Sequence, residues 1–289
     1  MENILELKNV CKTYKDFRLD NVSFELPKGT IMGFVGENGA GKTTTLKAIL
    51  NVIHCNSGVV TVFGCDHIKE EQRIKEDLGV VFDESNFSEA LNAREIGQIL
   101  QHVYKRFDKK VFYTYLKKFD LPDNKKIKSF SRGMKMKLSA AAAMSHDAKL
   151  LILDEPTSGL DPIARHEILD MFLEYIEDGE HSILFSSHIT GDLEKICDYI
   201  TFIHKGKILL SEEKDLLLEH YGMLKGGKEE FSVVDKSDVL GYSMNHFGFS
   251  ALIKDRETKK SKYPSMVIDK ASIEDIMVFL AEGEEVCVD

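Results

Sequence analysis

The feature that most restricts the fold of this chain is the block of residues 31–50, in which three patterns follow one another. An apolar run, Ile31–Val35, leads into Gly-Glu-Asn-Gly-Ala-Gly-Lys-Thr at positions 36–43 and then into a helix-forming run. Glycine adopts backbone conformations that other residues avoid, so this spacing lets several backbone N–H groups converge on one centre. The positive end of a following helix favours negative charge at the same place. The block therefore predicts a strand, a phosphate-binding loop and a helix.

The side chains of this loop have separate predicted roles. Lys42 is expected to neutralise the β- and γ-phosphates of a nucleoside triphosphate, and the Thr43 hydroxyl is expected to hold Mg²⁺. The alternative is a glycine-rich turn that binds nothing, but all three fixed glycine positions are filled. The candidate nucleotide-binding residues of the loop are Gly36, Glu37, Asn38, Gly39, Ala40, Gly41, Lys42, Thr43 and Thr44.

A second candidate block ends in two carboxylates. The wholly apolar run from Leu150 to Leu153 suits a strand buried on both faces of a mainly parallel sheet, and Asp154 and Glu155 follow it. Ligands of such sheets lie at the carboxyl ends of the strands, so Asp154 is a candidate for reaching Mg²⁺. Glu155 is a candidate general base for an attacking water. Alone, these carboxylates could be a polar strand exit; beside a phosphate loop they predict a catalytic site.

A third candidate site is the start of a helix near residue 131. The run Ala140 to Ala143 favours a helix, and Ser131 is a suitable N-cap residue. The first N–H groups of such a helix form a second anion site, although the chain already has a phosphate loop. This arrangement suggests a nucleotide held mainly by another subunit.

Together these motifs resemble the nucleotide-binding subunit of an ABC transporter, in that family's order, across residues 1 to about 210. The resemblance implies that Tyr14 stacks on adenine, with ordinary packing as the alternative. It assigns Ser131 and Gly133 to the signature motif that contacts ATP. It also assigns Asp161, in Ser-Gly-Leu-Asp, to the loop that joins two active sites across a dimer, and His188 to the switch histidine at the γ-phosphate.

Two motifs depart from the family pattern. Asp83 stands where a metal-contacting glutamine is expected, although the neighbouring Glu84 could substitute for it. A carboxylate is a stronger Mg²⁺ ligand than an amide oxygen, but Asp is one carbon shorter. In the signature, Arg132 and Met134 replace the usual glycine and glutamine, while Ser131 and Gly133 are retained. We expect nucleotide binding to survive and coupling to a membrane partner to differ.

The resemblance implies an α/β fold of the P-loop NTPase class. We expect an ABC ATPase domain over residues 1–215, with a mainly parallel central sheet, an antiparallel β subdomain and a helical subdomain at about 85–147. In the helical part, Asn92 with Glu95 predicts a capping box, and Asp108 predicts a second helix start. Residues 216–289 are expected to form a small α+β C-terminal accessory domain, whose role is either dimer packing or solubility, or regulation.

Composition restricts the partners. A formal charge of −10, from 38 basic and 48 acidic residues, argues against a nucleic-acid-binding protein. No apolar stretch approaches the roughly 20 residues needed to cross a bilayer. The five cysteines have neither metal-finger spacing nor an even framework. We therefore expect a cytoplasmic protein, peripheral on the inner face of the cell membrane and held there only by a separate permease subunit.

The expected function is ATP hydrolysis, with ATP and Mg²⁺ as cofactors, in a dimer that drives that permease. The second ATPase subunit could be an identical or a related chain. The resemblance to stand-alone bacterial subunits favours an exporter, without indicating its cargo. Two alternatives are a soluble ABC ATPase that acts on another cellular machine and a nucleotide-dependent regulatory protein; the latter is disfavoured because Glu155 is present.

Overall fold

The computed structural model describes residues 2–83 and 87–282, and the chain separates into two compact units. The first is Met1–Ile208 and the second is Leu209–Asp289. The sequence places the boundary near residue 215, and the assignment of a separate role to each part stays a prediction.

The first unit contains five parallel strands of a six-stranded sheet, which confirm the predicted mainly parallel arrangement. The sixth strand, β10, begins in this unit and continues past its end at Ile208. The order of the sheet is β10-β9-β3-β8-β7-β6, and the pairs β9–β3, β3–β8, β8–β7 and β7–β6 are all parallel. The strands are β3 (Ile31–Val35), β6 (Leu78–Val81), β7 (Leu150–Asp154), β8 (Ser182–Ser187), β9 (Tyr199–His204) and β10 (Lys207–Glu213). Every residue of β3, β7 and β8 is buried, as expected for strands covered on both faces.

A second, four-stranded sheet of the first unit has the order β2-β1-β4-β5 and is antiparallel throughout. Its strands are β1 (Asn3–Thr13), β2 (Arg18–Pro27), β4 (Ser57–Val62) and β5 (Cys65–Asp66). Leu5 and Phe24 from this sheet share one apolar core with Phe34 of β3. The Phe24 and Phe34 rings stack with centroids 5.3 Å apart, so the two sheets form one packed body.

Four helices accompany the parallel strands of the first unit: α1 (Lys42–Ile49), α2 (Glu71–Glu76), α6 (Pro162–Ile176) and α7 (Thr190–Ile196). Three of them position the candidate site. Helix α1 begins directly after the glycine loop, α6 begins after the segment that follows β7, and α7 begins two residues after His188. The carboxyl ends of β3, β7 and β8 therefore carry the phosphate loop, the two carboxylates and the histidine to one edge of the sheet.

The helical part of the first unit contains α3 (Ala93–Val103), α4 (Lys109–Lys118) and α5 (Arg132–Met144). The three predicted caps are confirmed: Asn92 and Glu95 form a capping box, Asp108 accepts from two N–H groups, and Ser131 accepts from the Met134 N–H. The apolar residues of α3 are only partly covered, because Ile96 is buried whereas Ile99 and Val103 are exposed.

The second unit is an α+β unit in which the sheet order is β12-β13-β11-β14, with antiparallel pairing. The strands of this sheet are β11 (Gly222–Gly226), β12 (Val239–Met244), β13 (Phe249–Ile253) and β14 (Val267–Lys270). The helices of the unit are α8 (Lys214–His220), α9 (Arg256–Lys262) and α10 (Ile273–Ala281). Ser272 and Asp275 form a capping box at the start of α10. Residues 231–234 overlap a short 3₁₀ turn, Glu230–Val233. Phe231 of this turn contacts Tyr242 and Phe249, so the turn contributes to the core outside the sheet.

Candidate active site

The glycine loop between β3 and α1 is built around contacts that exclude side chains. A Cβ at Gly36 would lie 2.3 Å from the Ile203 carbonyl oxygen, and Gly41 has φ +117°. At Gly41 a Cβ would also lie 2.9 Å from the Phe17 ring. A side chain would be strained at Gly41 and would have no room at either position, so glycine at both positions keeps the loop compact.

Lys42 is held in place by the backbone of its own loop. Its Nζ donates to the Gly36 carbonyl at 2.6 Å and to the Glu37 carbonyl at 3.2 Å. The same nitrogen lies 3.2 Å from Glu155 Oε1. Lys42 is only 6% exposed, so its charge faces the end of β7 in a site largely removed from water.

Thr43 and Asp154 meet although they are 111 residues apart in sequence. The Thr43 hydroxyl donates to Asp154 Oδ2 at 3.0 Å, and the Ser186 hydroxyl donates to Asp154 Oδ1 at 2.7 Å. A hydroxyl and a carboxylate are the hard oxygen ligands that suit Mg²⁺, which usually takes its remaining ligands from phosphates and water. The residues present therefore fit a magnesium ion at this point.

Glu155 and His188 form the next contact of the site. His188 Nδ1 lies 2.7 Å from Glu155 Oε2, and the Glu155 side chain is largely buried. Glu155 has φ +50°, a conformation rare for a residue with a side chain. Its N–H donates to the carbonyl oxygen and the hydroxyl of Ser186, both at 3.2 Å. Lys42, Glu155 and His188 thus form a continuous chain of polar contacts beside Asp154.

Lys42, Thr43, Asp154 and Glu155 border one cleft of about 620 Å³. His188 contacts Glu155 but is not itself among the residues that line the cleft. Among the described residues its lining is Asp16, Phe17, Glu37, Asn38, Gly39, Gly41, Lys42, Thr43, Thr44, Asp83, Asp154 and Glu155. The structure thus brings most of the predicted loop together with Asp83, Asp154 and Glu155. Gly36 and Ala40 belong to the same loop but are not among the lining residues, and a Cβ at Gly36 would lie 3.2 Å from Ala40 Cβ.

The aromatic side chain at this cleft is Phe17, which sequence reasoning missed. Tyr14 is exposed, and its N–H donates to the Phe17 carbonyl at 2.8 Å, so the two residues close one short turn after β1. The signal in the sequence was a second aromatic residue only three positions further on. Adenine stacking by Tyr14 stays a prediction, and Phe17 is an additional candidate for that role.

The predicted signature residues lie at the start of α5 and do not line this cleft. Ser131 caps the helix, with its hydroxyl accepting from the Met134 N–H at 3.2 Å. A Cβ at Gly133 would lie 3.2 Å from Ala164 Cβ, so glycine permits close contact with α6. Contact of Ser131 and Gly133 with the nucleotide of a second subunit stays a prediction.

The two departures from the family pattern contact each other. Arg132 of α5 forms an ion pair with Asp83, the residue that replaces the expected glutamine. The Arg132 guanidinium also lies under Gly159, where a Cβ would be 3.0 Å from Nη1. Asp83 therefore borders the nucleotide cleft and also contacts α5, which we call the signature helix because it begins at the signature residues. Glu84, the other candidate for the glutamine position, lies outside the described residues.

Asp161 has a structural role at the N-terminus of α6. Its carboxylate accepts from the N–H groups of Ile163 and Ala164, both at 3.0 Å. The hydrogen bond from Ala164 contributes most to holding the pKa of the Asp161 carboxyl below its usual range. Nucleotide contact by Asp161 stays a prediction.

Across residues 2–83 and 87–282, no helix is both long enough and apolar enough to cross a membrane.

Comparison with known proteins identifies the family. The family profile described as ABC transporter matches residues 19–158. The ABC transporter ATP-binding protein NatA of Bacillus subtilis (strain 168) is 35% identical over 218 residues, 73% of this chain and 86% of that protein. The bacitracin transport ATP-binding protein BcrA of Bacillus licheniformis is 31% identical over 250 residues, 86% of this chain and 80% of that protein.

A solved structure described as the ATP binding subunit of an ABC transporter matches with a TM-score of 0.68 at 26% identity. The match covers 74% of this chain and 91% of that structure. The predicted family, fold class and ATPase activity are therefore confirmed. The chain belongs to the ATP-binding proteins of ABC transporters and is an ATP-binding, ATP-hydrolysing subunit.

Proposed function

We propose that this chain works as a dimer around two Mg·ATP and drives a separate membrane permease of the exporter type. The observation that carries the proposal is the continuous set of contacts from Lys42 through Glu155 to His188, beside the Thr43–Asp154 pair. A cation, a carboxylate with a histidine in contact with it and a hydroxyl–carboxylate oxygen pair beside one cleft support the proposal, because phosphoryl transfer to water needs groups of these kinds.

In the proposed reaction, Glu155 accepts a proton from the water that attacks the γ-phosphate, while His188 holds the Glu155 carboxylate in place. The bond between the γ-phosphorus and the β–γ bridging oxygen breaks, so that ADP and inorganic phosphate leave. Lys42 binds the β- and γ-phosphates and leaves its present partner, Glu155, free to face the water. Thr43 and Asp154 would hold Mg²⁺, which supplies neutralisation of phosphate charge when bound. Asp83, on the cleft wall, is the candidate for a further metal-side contact.

The dimer is supported by the position of the signature. Ser131 and Gly133 stand at an exposed helix start outside the lining of the cleft, with Gly133 close against α6. The first N–H groups of α5 form an anion-binding site of the kind found at helix N-termini. Pairing two chains head to tail presents this helix start to the γ-phosphate held by the partner's glycine loop.

The transport role is supported by the relatives, one of which is named for bacitracin transport. Export rests on the resemblance to stand-alone bacterial subunits, and it leaves the cargo unassigned. The proposed location is the inner face of the cell membrane, through contact with the permease. Neither the soluble-machine role nor the regulatory role is favoured by an observation in the structure.

Isolation of the chain from membranes tests the proposal. A tagged chain extracted in mild detergent should carry along one polytopic membrane protein in a fixed ratio, identified by mass spectrometry. Reconstitution with that protein in liposomes should raise ATP hydrolysis above that of the chain alone. Recovery with only soluble partners, one of which stimulates hydrolysis, would contradict the permease assignment.

A further inference from the structure

A buried carboxylate is hydrogen-bonded to the segment that follows Glu155 and is not used by the proposed reaction. Asp192 of α7 has a side chain that is 3% exposed. An ionised carboxylate removed from water in this way is stable only when charged or hydrogen-bonding groups surround it. Its position, four residues after His188, raises the question of what it holds in place.

Two segments of the chain meet at this carboxylate. The Thr157 hydroxyl donates to Asp192 Oδ2 at 2.7 Å, and Arg165 Nε donates to Oδ1 at 2.6 Å. Thr157 lies two residues after Glu155, and Arg165 lies on α6, close to its start. Asp192 itself belongs to the helix that follows His188. A single carboxylate therefore ties together the segment that carries Glu155, the segment that carries His188 and helix α6.

The first of these segments needs such support. Glu155 is held at φ +50°, and strained backbone of this kind persists only where surrounding contacts fix it. Thr157 is 1% exposed, so its hydroxyl has no access to bulk water and depends on Asp192. On the other side, the 2.7 Å contact between Glu155 and His188 requires both segments to keep their separation.

We infer that Asp192 is a positioning residue for hydrolysis, acting through the Thr157 hydroxyl to keep Glu155 and His188 in register. The inference rests on the proposed roles of Glu155 and His188. The contact between Asp192 and Thr157 affects the position of the attacking water and does not involve the phosphate loop. Its loss should therefore lower the rate of hydrolysis and leave the affinity for ATP unchanged.

A matched pair of variants at residue 157 tests the inference in the full chain. Thr157→Val keeps the shape but removes the hydroxyl, whereas Thr157→Ser keeps the hydroxyl. Because small misplacements at a reacting centre reduce rates strongly, we expect Thr157→Val to lower kcat roughly 10- to 100-fold with KM for ATP unchanged. Thr157→Ser should restore kcat to within about 3-fold of the parent, less than 1 kcal/mol in barrier height.

Spectroscopy and an unfolding control separate positioning from loss of fold. Nitrogen NMR of the His188 ring should shift in Thr157→Val and return in Thr157→Ser, while urea unfolding shows that both variants are folded at the assay temperature. The inference is overturned if Thr157→Val keeps the parent kcat, if both variants lose it equally, or if KM rises in proportion. Glu155→Gln is measured alongside. If Glu155→Gln hydrolyses ATP at the parent rate, the proposed base itself is overturned. If Glu155→Gln is inactive and Thr157→Val has the parent kcat, only the positioning role is overturned.

Discussion

The nucleotide cleft and the start of the signature helix hold their charged side chains in opposite ways. Lys42 and Asp154 are each 6% exposed and are fixed by backbone carbonyls and by buried hydroxyls. Asp83 and Arg132 are 46% and 48% exposed and are fixed chiefly by each other. Charges in a site shielded from water interact strongly with a bound ligand, whereas an exposed pair contributes at most about 1 kcal/mol.

The difference suggests that the cleft and the Asp83–Arg132 pair have different functions within the first unit. The cleft is preorganised, so its side chains need little rearrangement when phosphate arrives. The Asp83–Arg132 pair is weak enough to be exchanged when a metal ion, a second subunit or a permease competes for either partner. We therefore expect substitutions in the cleft to abolish binding or chemistry, and substitutions in the pair to change coupling.

The largest expected effect is at Lys42. Lys42→Ala removes the cation that meets the β- and γ-phosphates, and we expect ATP affinity to fall by on the order of 100-fold or more, since hydrogen bonds to charged groups are the strong ones. Calorimetric titration with Mg·ATP measures this. Lys47→Ala, an exposed lysine on the same helix, is the control and should bind like the parent. If the two variants bind ATP with equal affinity, the assignment of this loop as the phosphate-binding loop is wrong.

The next effect is on chemistry alone. Glu155→Gln keeps the shape of the side chain but removes the base, so ATP should still bind while hydrolysis falls by roughly 10²- to 10⁴-fold. With hydrolysis blocked, a nucleotide-bound dimer should accumulate and elute early in size-exclusion chromatography with Mg·ATP. Glu177→Gln, an exposed substitution after α6, should neither slow turnover nor change elution. A fully active Glu155→Gln would mean that the base lies elsewhere.

The cleft was also the region that the sequence predicted best, and the reason is local. The glycine loop, the strand ends and the helix caps at Asn92, Asp108 and Ser131 each depend on a few neighbouring residues, so their patterns are visible in the chain itself. Parallel strands then bring the separate motifs to one edge of the sheet. The meeting of Thr43 and Asp154 needed no further information than that rule.

Contacts between distant segments were not predictable in the same way. The Asp83–Arg132 pair spans 49 residues and the Thr157–Asp192 bond spans 35, and neither has a repeating pattern. Asp161 was predicted only as a site residue, whereas the structure shows its carboxylate capping α6. Phe17 was missed because Tyr14 matched the family position, and only the fold shows which ring borders the cleft.

A smaller effect is expected at the exposed pair. Asp83→Ala should change ATP affinity and the free energy of unfolding little, because the glycine loop still binds phosphate and an exposed ion pair is worth at most about 1 kcal/mol. We expect stimulation of hydrolysis by the reconstituted permease to be lost, since Asp83 connects the cleft wall to the signature helix. ATPase rates of Asp83→Ala and Asp83→Gln with and without permease measure this.

The alternative for Asp83 is that it only ends β6. In that case Asp83→Ala would lower thermal stability and keep normal stimulation by the permease, which rules out a role in coupling. Arg132→Gln is the matched variant from the other side of the pair. If the pair is the coupling element, the double variant Asp83→Ala with Arg132→Gln should be no worse than either single variant, because both changes break one contact.

The smallest expected effect concerns stability away from both sites. His146 is buried after α5, stacks on Tyr104 at 3.9 Å and donates from Nε2 to the Leu78 carbonyl at 2.9 Å. Burial lowers the pKa of His146 below its ordinary value of 6.5. On mild acidification His146 therefore binds a proton in the unfolded chain but stays neutral in the folded chain. The free energy of unfolding consequently falls as the pH drops below 6.5 towards the lower pKa of the folded state.

Removing this histidine should flatten that dependence. We expect the free energy of unfolding of His146→Gln to lose up to about 1.4 kcal/mol per pH unit of its slope between pH 6.5 and 5, the value for one proton. Urea unfolding at a series of pH values measures the slope, and His54→Gln, at an exposed position, should leave it unchanged. An unchanged slope in His146→Gln would place the acid sensitivity on other groups, with buried His67, whose pKa is also lowered by burial, the next to test. Because His146 lies outside the nucleotide cleft, ATP affinity at pH 7.5 should be the same in His146→Gln and the parent, which separates loss of fold from loss of the site.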